Sequence, residues 1–127
     1  MSAKSVREYH GKKLLARHIK EVSKGKHVID DRSVLITPDT DLRQLVQDQD
    51  WLTSAKLVVK PDQLIKRRGK AGLVGIKLDW EGLKAWIAER MEREIQVEHA
   101  TGVLDHFIVE PFLPHGQTDE YYICIQS

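Results

Sequence analysis

The chain is poor in cysteine, in long apolar runs and in net charge. Its one cysteine among 127 residues, Cys124, has no partner within the chain, so no internal disulfide can staple the fold, as fits a reducing compartment. Cys124 stands in an apolar stretch and reads as a buried, inert thiol. No run approaches the about 20 apolar residues of a membrane helix, and the opening Met-Ser-Ala-Lys-Ser-Val-Arg lacks the apolar centre of a signal peptide. The expectation is a cytoplasmic protein with no membrane partner. Twenty lysines and arginines against nineteen acids leave a net charge of +1, which excludes the overall basic field behind nonspecific nucleic-acid binding. The Walker A and dinucleotide glycine patterns are both absent. The histidines at 10, 18, 27, 99, 106 and 115 are scattered without metal-ligand spacing and read as surface or packing residues.

Positive charge is instead local. Between Leu57 and Lys77, two apolar runs, Leu57-Val58-Val59 and Leu73-Val74-Gly75-Ile76, read as strands bounded by Pro61 and by glycine. The loop between them and its edge carry Lys60, Lys66, Arg67, Arg68 and Lys70 against one carboxylate, Asp62. Gly69 and Gly72 let backbone approach a guest closely. Lysine and arginine make strong, charge-assisted bonds to phosphate, and glycine turns can add backbone donors, so a polyphosphate is the expected guest.

Elsewhere the pattern is that of one ordinary domain. Arg7 to Val22 predicts an amphipathic helix with Leu14, Leu15, Ile19 and Val22 on its inner face. Ser23 to Ser33 reads as a loop, Val34 to Thr37 as a strand, and Asp39 or Thr40 as the cap of a helix to about Asp48 with Leu42, Leu45 and Val46 inward. Trp51 and Leu52 are expected to cover that helix end. Asp79 caps a predicted helix to about Arg90 carrying Leu83, Trp86 and Ile87. Ile95 and Val97 suggest a further strand, His106 to Glu110 another stopped at Pro111, and Tyr121 to Ile125 a last one. The class is α+β, a mixed or antiparallel sheet with helices on one side. A chain that stops at Ser127, just past a strand, leaves an edge that wants a neighbour, from missing polypeptide or from a partner.

At LVVKPDQLIKRRGKAGLVGIKL and FIVEPFLPH the sequence resembles the amino-terminal portion of the ATP-citrate lyases, and more distantly the succinyl-CoA synthetase β subunits, both ATP-grasp enzymes. Arg7-Glu8-Tyr9 with Lys13-Leu14-Leu15 looks like the family's opening helix, and Pro38 to Leu52 like its next helix and tryptophan. The resemblance implies a truncated ATP-grasp region over 1–127: a lobe over about 20–110, a hinge over 110–116 and the first strand of a second lobe over 120–126. It implies that Lys60 reaches the nucleotide phosphates, that Arg68 and Gly69 form the phosphate-side loop, and that Pro111 and Leu113 receive the adenine. Glu120 matches a ribose-binding carboxylate, with a solvated turn carboxylate beside Asp119 as the other reading. The implied reaction uses ATP, citrate and CoA to make acetyl-CoA and oxaloacetate, in an enzyme that is oligomeric when intact. The magnesium ligands and the phosphorylated histidine are expected outside this chain, and the isolated chain is expected to lack full activity. The alternative is a non-catalytic module that uses the Lys66–Lys70 loop for a nucleotide or a nucleic acid.

Overall fold

A strand buried on one face alternates apolar and half-exposed residues, and that period organises the centre of this fold. In the computed structural model, which describes residues 6–27, 32–63, 73–97 and 100–113, four strands form one sheet: β1 (Val34–Ile36), β2 (Leu57–Pro61), β3 (Gly75–Leu78) and β6 (Phe107–Pro111). Their order is β1-β6-β2-β3, and every neighbouring pair is antiparallel. Two further strands, β4 (Glu94–Val97) and β5 (Ala100–Val103), pair with each other as a separate antiparallel ribbon.

The core lies on one face of the four-stranded sheet. Leu57 and Val59 of β2 and Phe107 and Val109 of β6 are fully buried there, together with Leu52, Leu83, Ile87 and Leu104. Helix α4 (Trp80–Arg90) closes this face through Trp80, Leu83 and Ile87, while Trp86 sets its ring edge-on to Phe107 at 5.7 Å between centroids. The Asp79 carboxylate accepts from the Gly82 N–H at 2.7 Å, the expected cap. Helix α2 (Leu42–Asp48) leans Leu42, Leu45 and Val46 on the same core, and the short α3 (Trp51–Ser54) buries Trp51 and Leu52. Its neighbour's cap is Asp41, which accepts from the N–H groups of Arg43 and Gln44, rather than Asp39 or Thr40. Thr40 is engaged instead in closing the turn back to Thr37.

Helix α1 (Glu8–Val22) departs from expectation. Ala16 is its buried residue, whereas Leu14 and Val22 are 47% and 83% exposed. Ile108 is fully buried but stands apart from the core cluster, in register with Lys60 on the opposite face. That is the face α1 meets, chiefly through charged groups of its first turns. Helices therefore lie on both sides of the sheet. Three strand boundaries also move. Leu73 and Val74 precede β3, and Pro61 and Pro111 do not stop their strands but pair with Phe107 and Leu57 as the last residues in the ladder. Proline has no N–H to donate, yet its carbonyl and fixed φ suit a strand end. The predicted strand 121–125 and Cys124 lie outside the described residues. Among those residues no helix is long and apolar enough to cross a membrane.

Candidate functional site

Strand alternation decides where Lys60 points. Its neighbours Val59 and Pro61 are turned into the core and buried, so Lys60, next to last in β2, projects from the other face. Glu110 projects from that face too, two ladder positions away on β6, because Val58 pairs with Glu110 and Lys60 with Ile108. Helix α1 brings two more charges over the same spot. Glu8 and Lys12 are four apart and share one side of its first turns.

The four side chains close a ring of alternating charge. Lys60 Nζ lies 2.6 Å from Glu8 Oε1 and 3.5 Å from Glu110 Oε1. Lys12 Nζ lies 3.1 Å from the same Glu8 oxygen and donates to both carboxylate oxygens of Glu110 at 2.8 Å. Side-chain exposures of 19–23% for Lys60, Glu110 and Glu8 place three of the four largely out of water, with Lys12 at 40% on the rim. Burial pushes the Glu8 carboxyl up, but the hydrogen bonds and charges of Lys60 and Lys12 outweigh it and hold Glu8 at about 2. Burial likewise pulls the Lys12 ammonium down, and Glu110 and Glu8 overcome it to raise it above its ordinary value.

Asp62 is not a surface counter-ion of the basic loop. It is 1% exposed, its backbone N–H donates to the His106 carbonyl at 2.8 Å, and its Oδ1 accepts from the Tyr9 N–H at 3.3 Å. A carboxylate there meets the positive end of the α1 dipole and ties the helix to the end of β2. Its Oδ2 is buried with no hydrogen-bond partner among the described residues.

At the other end of the same two strands lies the segment expected to form a hinge. Pro111 pairs with Leu57, and the Phe112 N–H donates to the Lys56 carbonyl at 2.8 Å, so the chain is held to β2 one residue past the strand. Leu113 is 63% exposed. A bulge in β3 adds a feature the sequence did not announce: Leu78 pairs with Leu57 and Gly75 with Val59, leaving two residues of β3 opposite one of β2. Lys77 takes φ 54° in that bulge and sets its ammonium 5.5 Å from the centroid of the Phe112 ring. Gly75 permits the close approach, since a Cβ there would stand 2.8 Å from Leu78 Cδ1 and 3.0 Å from Trp86 Nε1.

Lys60 and Pro111 thus stand on adjacent strands, three ladder positions apart, or roughly 10 Å at the rise of an extended chain. Arg68, Gly69 and Glu120, with Lys66, Arg67 and Lys70, lie outside the described residues. The sequence reading missed the partners of Lys60. The four-residue spacing of Glu8 and Lys12 was visible, but nothing local announces that Glu110, 98 positions from Lys12, completes the ring.

Residues 2–127 match the family of the ATP-citrate synthase ATP-grasp domain. The chain is 50% identical over its whole length to human ATP-citrate synthase, spanning 11% of that protein, and 45% identical to ATP-citrate synthase alpha chain protein 1 of Arabidopsis thaliana, spanning 29% of it. Among solved structures, it is similar to ATP citrate lyase from Methanothrix soehngenii in complex with citrate and coenzyme A, with a TM-score of 0.81 and 39% identity, over 91% of this chain and 27% of that one. The antiparallel sheet with its flanking helices corresponds to one part of those longer proteins, and this chain belongs to the ATP-citrate synthase ATP-grasp family.

Proposed function

We propose that this chain supplies one wall of the ATP site of a cytoplasmic ATP-citrate lyase, which uses ATP, citrate and CoA to make acetyl-CoA and oxaloacetate. The observation that carries the reading is the placement of Lys60 and the Pro111–Leu113 segment on adjacent strands about one nucleotide's length apart, roughly 10 Å. A nucleotide lying over the Lys60 face would set its phosphates by Lys60 and its adenine against the backbone of the Pro111–Leu113 segment, since Pro111 pairs with the core-facing Leu57 and so turns its own ring to the opposite face from Lys60. Arg68 and Gly69 would add phosphate contacts, and Glu120 would accept hydrogen bonds from the ribose. Phosphoryl transfer is helped mainly by positioning and by charge that matches the transferring group. A lysine on a strand end, braced by carboxylates on two other elements, meets both needs.

Magnesium belongs to the reaction so read. Among the described residues no three His, Cys, Asp or Glu side chains group as a metal site, and its ligands are proposed to lie outside them. Citrate and CoA, bound in the Methanothrix soehngenii relative, are proposed to meet other parts of an oligomeric enzyme. The test is steady-state kinetics on the full-length protein that carries this chain, with ATP varied at saturating citrate and CoA. Lys60→Met is expected to raise the KM for ATP and lower kcat, each by at least about ten-fold, since it removes a charge from phosphates, while Lys66→Ala, at a loop cation to which the resemblance assigns no nucleotide contact, is expected to change neither by more than about two-fold. Equal, small effects from both would remove Lys60 from the site.

A further inference from the structure

The charge ring raises a difficulty for any phosphate that comes to Lys60: the ammonium is already taken. Its closer partner is Glu8, at 2.6 Å. If Lys60 turned away, Glu8 and Glu110, both largely buried, would each lose a cation, and weakening the pairing of a buried charge is costly. Lys12 changes that. It contacts both carboxylates, at 3.1 Å on Glu8 and 2.8 Å on Glu110, on the more exposed side of the ring.

We propose that Lys12 is a positioning residue for Lys60: by holding Glu8 and Glu110 itself, it lets the Lys60 ammonium swing to a phosphate without stranding them. The proposal rests on the reading of Lys60 as a phosphate ligand. Glu8 is the residue handed from one lysine to the other, since both ammonium groups share its Oε1. No covalent bond is made or broken and no proton moves. With Lys12 absent, Lys60 is the remaining cation in the ring, and ATP must pull it from two carboxylates at once.

A double-mutant cycle tests this in the full-length protein, with ATP affinity measured by calorimetry. Lys12→Met should weaken ATP binding about ten-fold in the otherwise unaltered protein and not at all in the Lys60→Met background, a coupling within the range found for contacting residues. Lys12→Arg, which keeps the charge, should restore most of the affinity. Lys20→Met, which removes an exposed cation from the last turn of α1, should leave it unchanged. Should Lys12→Met prove unfolded by its thermal transition, Lys12→Gln takes its place in the cycle. Equal losses from Lys12→Met with and without Lys60 would mean a general field or a folding defect and overturn the proposal. No loss from Lys12→Met beside a clear loss from Lys60→Met would overturn it as well. No loss from Lys60→Met would instead overturn the phosphate reading beneath it.

Discussion

Replacing Glu8 by glutamine removes one charge from the ring while keeping the side chain's length. Glu8 titrates at about 2 instead of its ordinary 4.5, a difference equivalent to roughly 3 kcal/mol of stabilisation at about 1.4 kcal/mol per pH unit. The glutamine still offers Lys60 and Lys12 an amide oxygen, so the expected loss is smaller, about 2 kcal/mol, between the values of exposed and fully buried pairs. The folded-state value lies below that of the unfolded chain, so this stabilisation is complete above about pH 4.5 and is lost as the pH falls toward 2. Urea unfolding followed by the fluorescence of the buried Trp51 and Trp80 reads it directly. The wild-type chain should exceed Glu8→Gln by about 2 kcal/mol at pH 7 and by less than about 1 kcal/mol at pH 3. Carboxylates away from the ring behave alike in both proteins and cancel in the difference. A gap that does not change with pH, or no gap at pH 7, would show that Glu8 holds no charge-dependent bond to the lysines.

Three substitutions, two of them paired with a control, test the packing around the candidate site. Gly75→Ala should destabilise by about 1–3 kcal/mol, because its Cβ would meet Leu78, Trp86 and Val59 at 2.8–3.0 Å, whereas Gly102→Ala, with nothing within 4 Å, should stay within about 0.5 kcal/mol; thermal unfolding compares them. Asp41→Ala should cost about 1 kcal/mol by leaving the Arg43 and Gln44 N–H groups uncapped, and Asp39→Ala much less, in the same denaturation assay. Phe107→Ala should cost about 3–5 kcal/mol, as Phe107 is fully buried against Trp86, and should appear as loss of the cooperative circular-dichroism transition near physiological temperature.

What the sequence told of this fold follows from how local each signal is. The helix over Trp80–Arg90 was legible because its cap, Asp79, and its buried Leu83 and Ile87 repeat within a few residues. Strands β2 and β6 were legible as apolar runs, but their last residues were not, because a proline can end a ladder as well as interrupt it. Strand β3 begins at Gly75, not Leu73, since its start is set by pairing with Val59 and by the room Gly75 leaves for Trp86. The β4–β5 ribbon was half seen: Ile95 and Val97 alternate, whereas Ala100 to Val103 carries no such pattern and is a strand through its pairing alone. Helix α1 misled for the opposite reason. Its apolar stripe is real, yet the contacts that seat it are Glu8, Lys12 and the Tyr9 N–H on Asp62, all made to residues at least 50 positions away. Lys60 was singled out by its motif; the ring that holds it is visible only in three dimensions.

The most direct measurement is a structure of the full-length protein that carries this chain, bound to a non-hydrolysable ATP analogue. A phosphate oxygen is expected within hydrogen-bond distance of Lys60 Nζ, with the adenine against the Pro111–Leu113 segment and Lys12 still joined to Glu110. A nucleotide bound away from these strands, with Lys60 remaining on Glu8 and Glu110, would contradict this expectation.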